Sequence, residues 1–101
     1  MTTSHPEAGE RIFKKGEVIY QQGDYVSAIY DVLWGQVALY VDYHKPTQRL
    51  LNEVEADGFF GIVGFLESRP QNATAVALEK TACVVITHEN FGHYFQERPA
   101  K

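Results

Sequence analysis

From Arg11 onward the apolar positions come in short runs separated by turn residues. Ile12-Phe13 is followed by Lys14-Lys15-Gly16, and Val18-Ile19-Tyr20 by Gly23-Asp24. A longer stretch, Ala28 to Trp34, meets Gly35-Gln36, and a second runs from Val37 to Tyr43. Two strands about a glycine turn predict a hairpin. His44-Lys45-Pro46-Thr47 is the next turn, because Pro46 has no N–H to give a central strand. Leu50 to Val54, closed by Ala56-Asp57-Gly58, predicts another strand, and Gln71 to Leu78 and Thr81 to Thr87 predict the last two. The segment from Phe59 to Leu66 breaks this rhythm. Phe60, Val63 and Phe65-Leu66 fall near helical spacing, so one or two helical turns are expected over about Phe60–Glu67, although Gly61 and Gly64 lower the intrinsic preference. Thr87 can cap a second short helix, about Glu89–Gln96, whose Phe91, Tyr94 and Phe95 stand at i, i+3 and i+4.

Short, evenly spaced strands with few helices predict a mainly β fold. The expected architecture is an antiparallel β-roll or jelly-roll, a cupin-like double-stranded β-helix with short flanking helices. A chain of 101 residues, 45% apolar, has room for one small domain with a modest core. Residues 1–10 are polar, carry Pro6 and Gly9, and read as a flexible arm, which leaves 11–101 as the domain. The net charge of −4 changes the functional picture. Lys14-Lys15 is the only pair of adjacent bases, and phosphate-backbone binding needs clustered cations, so DNA contacts are not expected. No run is apolar enough to span a membrane and the N-terminus has no secretory pattern, so a cytoplasmic location is expected. On that reading the Asn72-Ala73-Thr74 sequon carries no glycan.

Catalytic chemistry finds no footing. His5, His44, His88 and His93 show no converging ligand pattern, and the last two are split across helix faces. Ser4, Ser27 and Ser68 lie in no nucleophile elbow. Cys83, inside Ala82-Cys83-Val84-Val85-Ile86, reads as a small buried hydrophobe. The tyrosines at 20, 25, 30, 40 and 43 suit sheet packing. Neither enzyme activity nor a metal is expected.

The stretch Gly58-Phe59-Phe60-Gly61-Ile62-Val63-Gly64-Phe65-Leu66-Glu67-Ser68-Arg69-Pro70-Gln71-Asn72-Ala73-Thr74 resembles the phosphate-binding cassette of cyclic nucleotide-binding domains. Such domains occur in protein kinase A regulatory subunits, catabolite-activator-type regulators and cyclic-nucleotide-gated channels. Phe60-Gly61, Leu66, Pro70 and Ala73-Thr74 match the cassette frame. Phe13, Gly16, Val18-Ile19 and Gly23-Asp24 resemble the family's opening strands, and Ile29-Tyr30 through Gly35-Gln36-Val37 its central hairpin. The resemblance covers Arg11 to about Phe95. It implies a regulatory, signal-transducing effector domain with a cyclic nucleotide, or another small anion, as its ligand and no further cofactor. Pairing into a homodimer through the C-terminal helix is also implied. The ligand would touch Gly61, Ile62, Val63, Gly64, Gln71, Asn72, Ala73 and Thr74. A regular strand would also set Gln71, Ala73, Ala75 and Ala77 on one face, as a pocket wall needs or as two closely packed sheets need.

Two cassette positions depart from the family pattern. Where the family has a glutamate accepting from the ribose 2′-hydroxyl, this chain has Ile62. Where it has an arginine paired with the cyclic phosphate, this chain has Gln71. Arg69 is the candidate substitute, since an extended chain would turn it to the same side as Gln71. Two readings follow. One is a ligand sensor with degenerate ribose and phosphate contacts, in which cyclic AMP or cyclic GMP binding is weak, altered or absent. The other is a ligand-independent protein–protein interaction module that keeps the fold and closes the pocket with Ile62.

Overall fold

The computed structural model describes residues 7–92. Its strands are β1 (Gly9–Phe13), β2 (Val18–Tyr20), β3 (Ile29–Trp34), β4 (Gln36–Val41), β5 (Arg49–Glu55), β6 (Phe59–Phe60), β7 (Thr74–Ala77) and β8 (Thr81–Ile86). One helix, α1 (Ile62–Glu67), interrupts them between β6 and β7. The expected mainly β, antiparallel content is present. β1 takes in Gly9 and Glu10, two residues that the sequence assigns to the arm. The second expected helix runs past residue 92, so Tyr94, Phe95 and the dimer contact they would make lie outside the described residues.

The strands form two separate antiparallel sheets, ordered β1-β8-β3-β6 and β2-β7-β4-β5. No described strand belongs to both, and each sheet keeps two open edges. The expected roll, or cupin-like jelly-roll, is therefore corrected: the sheets face one another without closing. The physical reason is that alternation specifies which residues point inward. Inward residues read alike in a closed roll and in two facing sheets. The chain crosses between sheets at tight turns. Gly35 does this between β3 and β4 at φ 99, with no room for a Cβ against the Thr81 backbone.

Both sheets contribute to the core between them. Phe13, Tyr30, Val32, Phe60, Cys83 and Val85 come from the first sheet, and Tyr20, Val37, Val54, Ala75 and Ala77 from the second. Tyr20 bridges the layers, 5.9 Å from Tyr30 and 6.0 Å from Phe60, while Tyr30 and Phe60 stack at 4.9 Å. Ala75 and Ala77 are fully buried here, so the row of small residues serves close sheet packing. A smaller cluster, Ile29, Ile86 and Phe65, lies apart from that core and fixes α1 to the first sheet. Its members Ile29 and Ile86 are cross-strand partners, one residue along from the inward Tyr30 and Val85, and hence on the other face.

Register breaks shape the second sheet. Opposite β4, Leu39 pairs with Asn52 and Tyr40 with Leu50, which leaves Leu51 as an extra, unpaired residue on β5. Such a bulge bends the strand and re-aims its side chain. Leu51 is 49% exposed and points to the site described next.

Candidate functional site

The site begins where the turn after β5 is tied to β3. Asp57 N–H donates to the Val32 carbonyl and Val32 N–H to the Gly58 carbonyl, both at 2.9 Å. β6 then pairs with β3, Phe60 opposite Tyr30, and the Phe60 ring anchors the start of α1 in the core. Gly61 stands at φ 85, in the left-handed region that favours glycine, and a Cβ there would press on the Ala28 carbonyl oxygen and the Tyr30 ring. Ile62 and Val63 open the helix next to it. Ser68, also left-handed at φ 53, ends it.

Gln71 is the organising residue. It is buried, and its backbone bonds both ways to the turn before β3: its N–H donates to the Asp24 carbonyl, and its carbonyl accepts from Gly23 N–H, each at 2.8 Å. The side-chain amide does the same across a wider gap. Its Nε2 donates to the Val26 carbonyl and to the Gly61 carbonyl, both at 3.2 Å. Gln71 thus clamps the segment before β3 to Gly61 at the start of α1. Gly64 makes this possible, because a Cβ there would overlap the Val26 carbonyl oxygen and Gln71 Nε2.

A cleft of about 340 Å³ opens beside this clamp, lined by Leu39, Leu51, Asn52, Phe59, Gly61, Ile62, Val63, Gln71 and Asn72, with Tyr20 and Phe60 at its base. No lining side chain carries a charge at neutral pH. Burial, with the neighbouring Tyr30 as a lesser cause, raises the Tyr20 phenol far above its ordinary range and keeps it neutral. Ile62 is 43% exposed and forms a wall of the cleft.

Of the residues singled out from the sequence, Gly61, Ile62, Val63, Gln71 and Asn72 meet in this cleft. Gly64 and Arg69 line a different cavity, of about 250 Å³. Thr74 lines a third, by the turns at 21–23 and 42–45, where its Oγ1 accepts from Gln22 N–H at 2.9 Å. Ala73 is buried. Arg69 donates to Glu67 at 3.0 Å and does not share the cleft with Gln71. Alternation fails between them because β7 starts only at Thr74, so residues 69–71 belong to no strand. Leu39, Leu51 and Asn52 were not legible as site residues, since the bulge that aims Leu51 leaves no mark on the hydrophobic pattern. Among the described residues no cluster of three or more His, Cys, Asp or Glu could hold a metal. No helix among them is long and apolar enough to cross a membrane.

Comparison with known proteins bears directly on this geometry. The family model described as "Cyclic nucleotide-binding domain" matches residues 10–98. The chain is 30% identical over 82 residues to a cAMP-dependent protein kinase regulatory subunit of Dictyostelium discoideum, an alignment covering 78% of this chain and 25% of that protein. It is likewise 30% identical over 81 residues to the cyclic AMP receptor protein of Thermus thermophilus, covering 80% of this chain and 38% of that one. It thus spans well under half the length of these relatives. The crystal structure of Thermus thermophilus catabolite activator protein superposes with a TM-score of 0.78 at 27% identity, over 88% of this chain and 42% of the other.

Proposed function

Because the chain belongs to the cyclic nucleotide-binding domain family, we propose that it is a regulatory sensing module whose cleft at Leu51, Ile62 and Gln71 takes small ligands but holds cyclic AMP and cyclic GMP weakly. Domains of this family are regulatory and non-catalytic. One observation carries the reading: the Gln71 amide is bound to two carbonyls of its own chain, in a cleft with no charged group. A phosphate placed there meets a neutral donor that is already engaged. Arg69, the candidate substitute, lines another cavity.

Magnitudes support weak binding. A charge-assisted bond contributes about 1.5–3 kcal/mol and a neutral one about half of that. The absent ribose acceptor at Ile62 removes on the order of another 1–2 kcal/mol. If these terms add, affinity lies about two to three decades below that of a site with both contacts.

Calorimetric titration of cyclic AMP and cyclic GMP into wild type, Ile62→Glu, Gln71→Arg and the double variant tests this. Ile62→Glu folds normally, because the new carboxylate stands at a half-exposed position, and the double variant gains about tenfold or more over wild type. Submicromolar binding of either nucleotide to wild type would sink the proposal. One observation favours a second reading, the protein–protein interaction module: Leu51, Ile62 and Leu66 are 49%, 43% and 66% exposed on neighbouring elements. That reading takes over if the folded double variant gains nothing.

A further inference from the structure

Cationic chemistry is missing from the cleft, and some of it is found in the cavity of about 250 Å³ that Gly64 and Arg69 line. Tyr25, Ser27, Ser68 and His88 complete its polar wall. We propose that this cavity is a separate binding site for a phosphate group, either the free ion or a small phosphate ester. A guanidinium presents a planar fork of donors that matches two phosphate oxygens. The two serine hydroxyls and the tyrosine hydroxyl can donate to the remaining oxygens, and so can an imidazole N–H. The imidazole is held in plane by its stack on Phe65, 4.0 Å between centroids and 4° from parallel. No carboxylate lines the cavity.

The occupant of Arg69 in this structure is Glu67, at 3.0 Å with the two side chains 70% and 53% exposed. An exposed pair of this kind contributes little and yields to a multiply charged competitor. Glu67 thus acts as a stand-in anion. A phosphate group recruits Arg69 into the cavity and releases Glu67 to solvent. This site does not depend on the reading of the cleft, because neither Ile62 nor Gln71 lines it.

Nuclear magnetic resonance on the full chain separates the possibilities. Inorganic phosphate and glycerol 3-phosphate are titrated at constant ionic strength, with chloride as the control. Saturable shifts are expected at the His88 imidazole and at the Gly64 and Ser68 amides, with Leu51 and Asn52 unmoved. Tighter binding of glycerol 3-phosphate assigns the group to an ester, and tighter binding of phosphate to the free ion. Arg69→Gln weakens binding about tenfold, and Glu67→Gln tightens it about threefold. Arg69→Lys retains part of the affinity as a point charge without the fork. Both side chains are exposed, so these variants fold. Equal shifts with chloride, shifts confined to the cleft, an unchanged affinity in Arg69→Gln, or a weakened one in Glu67→Gln would each overturn the proposal.

Discussion

Gly64→Ala sets two physical rules against each other at one atom. Within a helix, alanine is preferred over glycine by about 1 kcal/mol, which alone would stabilise α1. Geometry opposes this. The new methyl would overlap the Val26 carbonyl oxygen, a backbone atom that cannot rotate away, and Gln71 Nε2. Moving α1 outward to make room carries an overpacking cost of about 1–3 kcal/mol. Moving it also breaks the bonds from Gln71 to Val26 and Gly61, and a buried amide left without partners costs about another 1–3 kcal/mol. The net is a destabilisation on the order of 3 kcal/mol, a large share of the roughly 5–15 kcal/mol that holds a small domain together. Urea denaturation of wild type and variant gives the sign directly through the midpoint. Gly64→Ala combined with Gln71→Ala should be less destabilising than the sum of the single changes, because both break the same clamp. An unchanged or raised midpoint in Gly64→Ala would refute the reasoning, since propensity would then have outweighed contact.

Other outcomes follow from buried polar groups. Burial raises the Tyr30 phenol to about 12, the Arg11 charge opposing and Cys83 adding to the shift, and Tyr20 is raised further. The native state therefore holds these protons longer than the unfolded chain does. Stability is complete below about pH 10 and falls as pH climbs through 12; ultraviolet titration should show both rings ionising only with unfolding, and ionisation near 10 in the folded protein would contradict it. Thr81→Val keeps the shape but removes the Oγ1 that accepts from Gln36 N–H at 3.1 Å and donates to the Glu79 carbonyl at 2.8 Å. A loss of about 1–3 kcal/mol in denaturant is expected. Burial, then the Asp31 charge, pushes the Cys83 thiol up to about 12, so a thiol reagent at pH 8 should react only as fast as the chain opens.

The sequence was informative where side-chain pattern and backbone agree. Val18–Tyr20 was found to the residue, and Ala28–Trp34 and Thr81–Thr87 to within one, because their apolar runs end at glycines or turn residues. α1 was legible because Val63 and Leu66, three apart, leave the period of two, although Phe60, read with them, lies in β6. Sheet closure was not legible, since it depends on which edges bond and not on which residues face inward. The family was legible from the cassette motif, but the contacts of the side chains within it were not. Gln71 looks like a weakened ligand contact until its amide is seen holding Val26 and Gly61. Arg69 reads as sharing a side with Gln71 only if residues 69–71 form a strand, and they lie outside one. Leu51 needed a register slip that one-dimensional alternation cannot carry.

The pairing of β1 with β8 bears on how the domain answers force. Gly9 lies opposite Val85 and Phe13 opposite Thr81, so residues 9 and 86 emerge side by side at one end of the seam. The bonds of an antiparallel pair run perpendicular to the strands. Tension drawn outward through those two points loads the bonds nearest Gly9 first and passes to the next only when they fail. The seam peels like a zip and does not shear as a block. A pull between whatever is tethered before Gly9 and after Ile86 therefore strips β1 from the first sheet while the β3–β8 ladder behind it stays bonded.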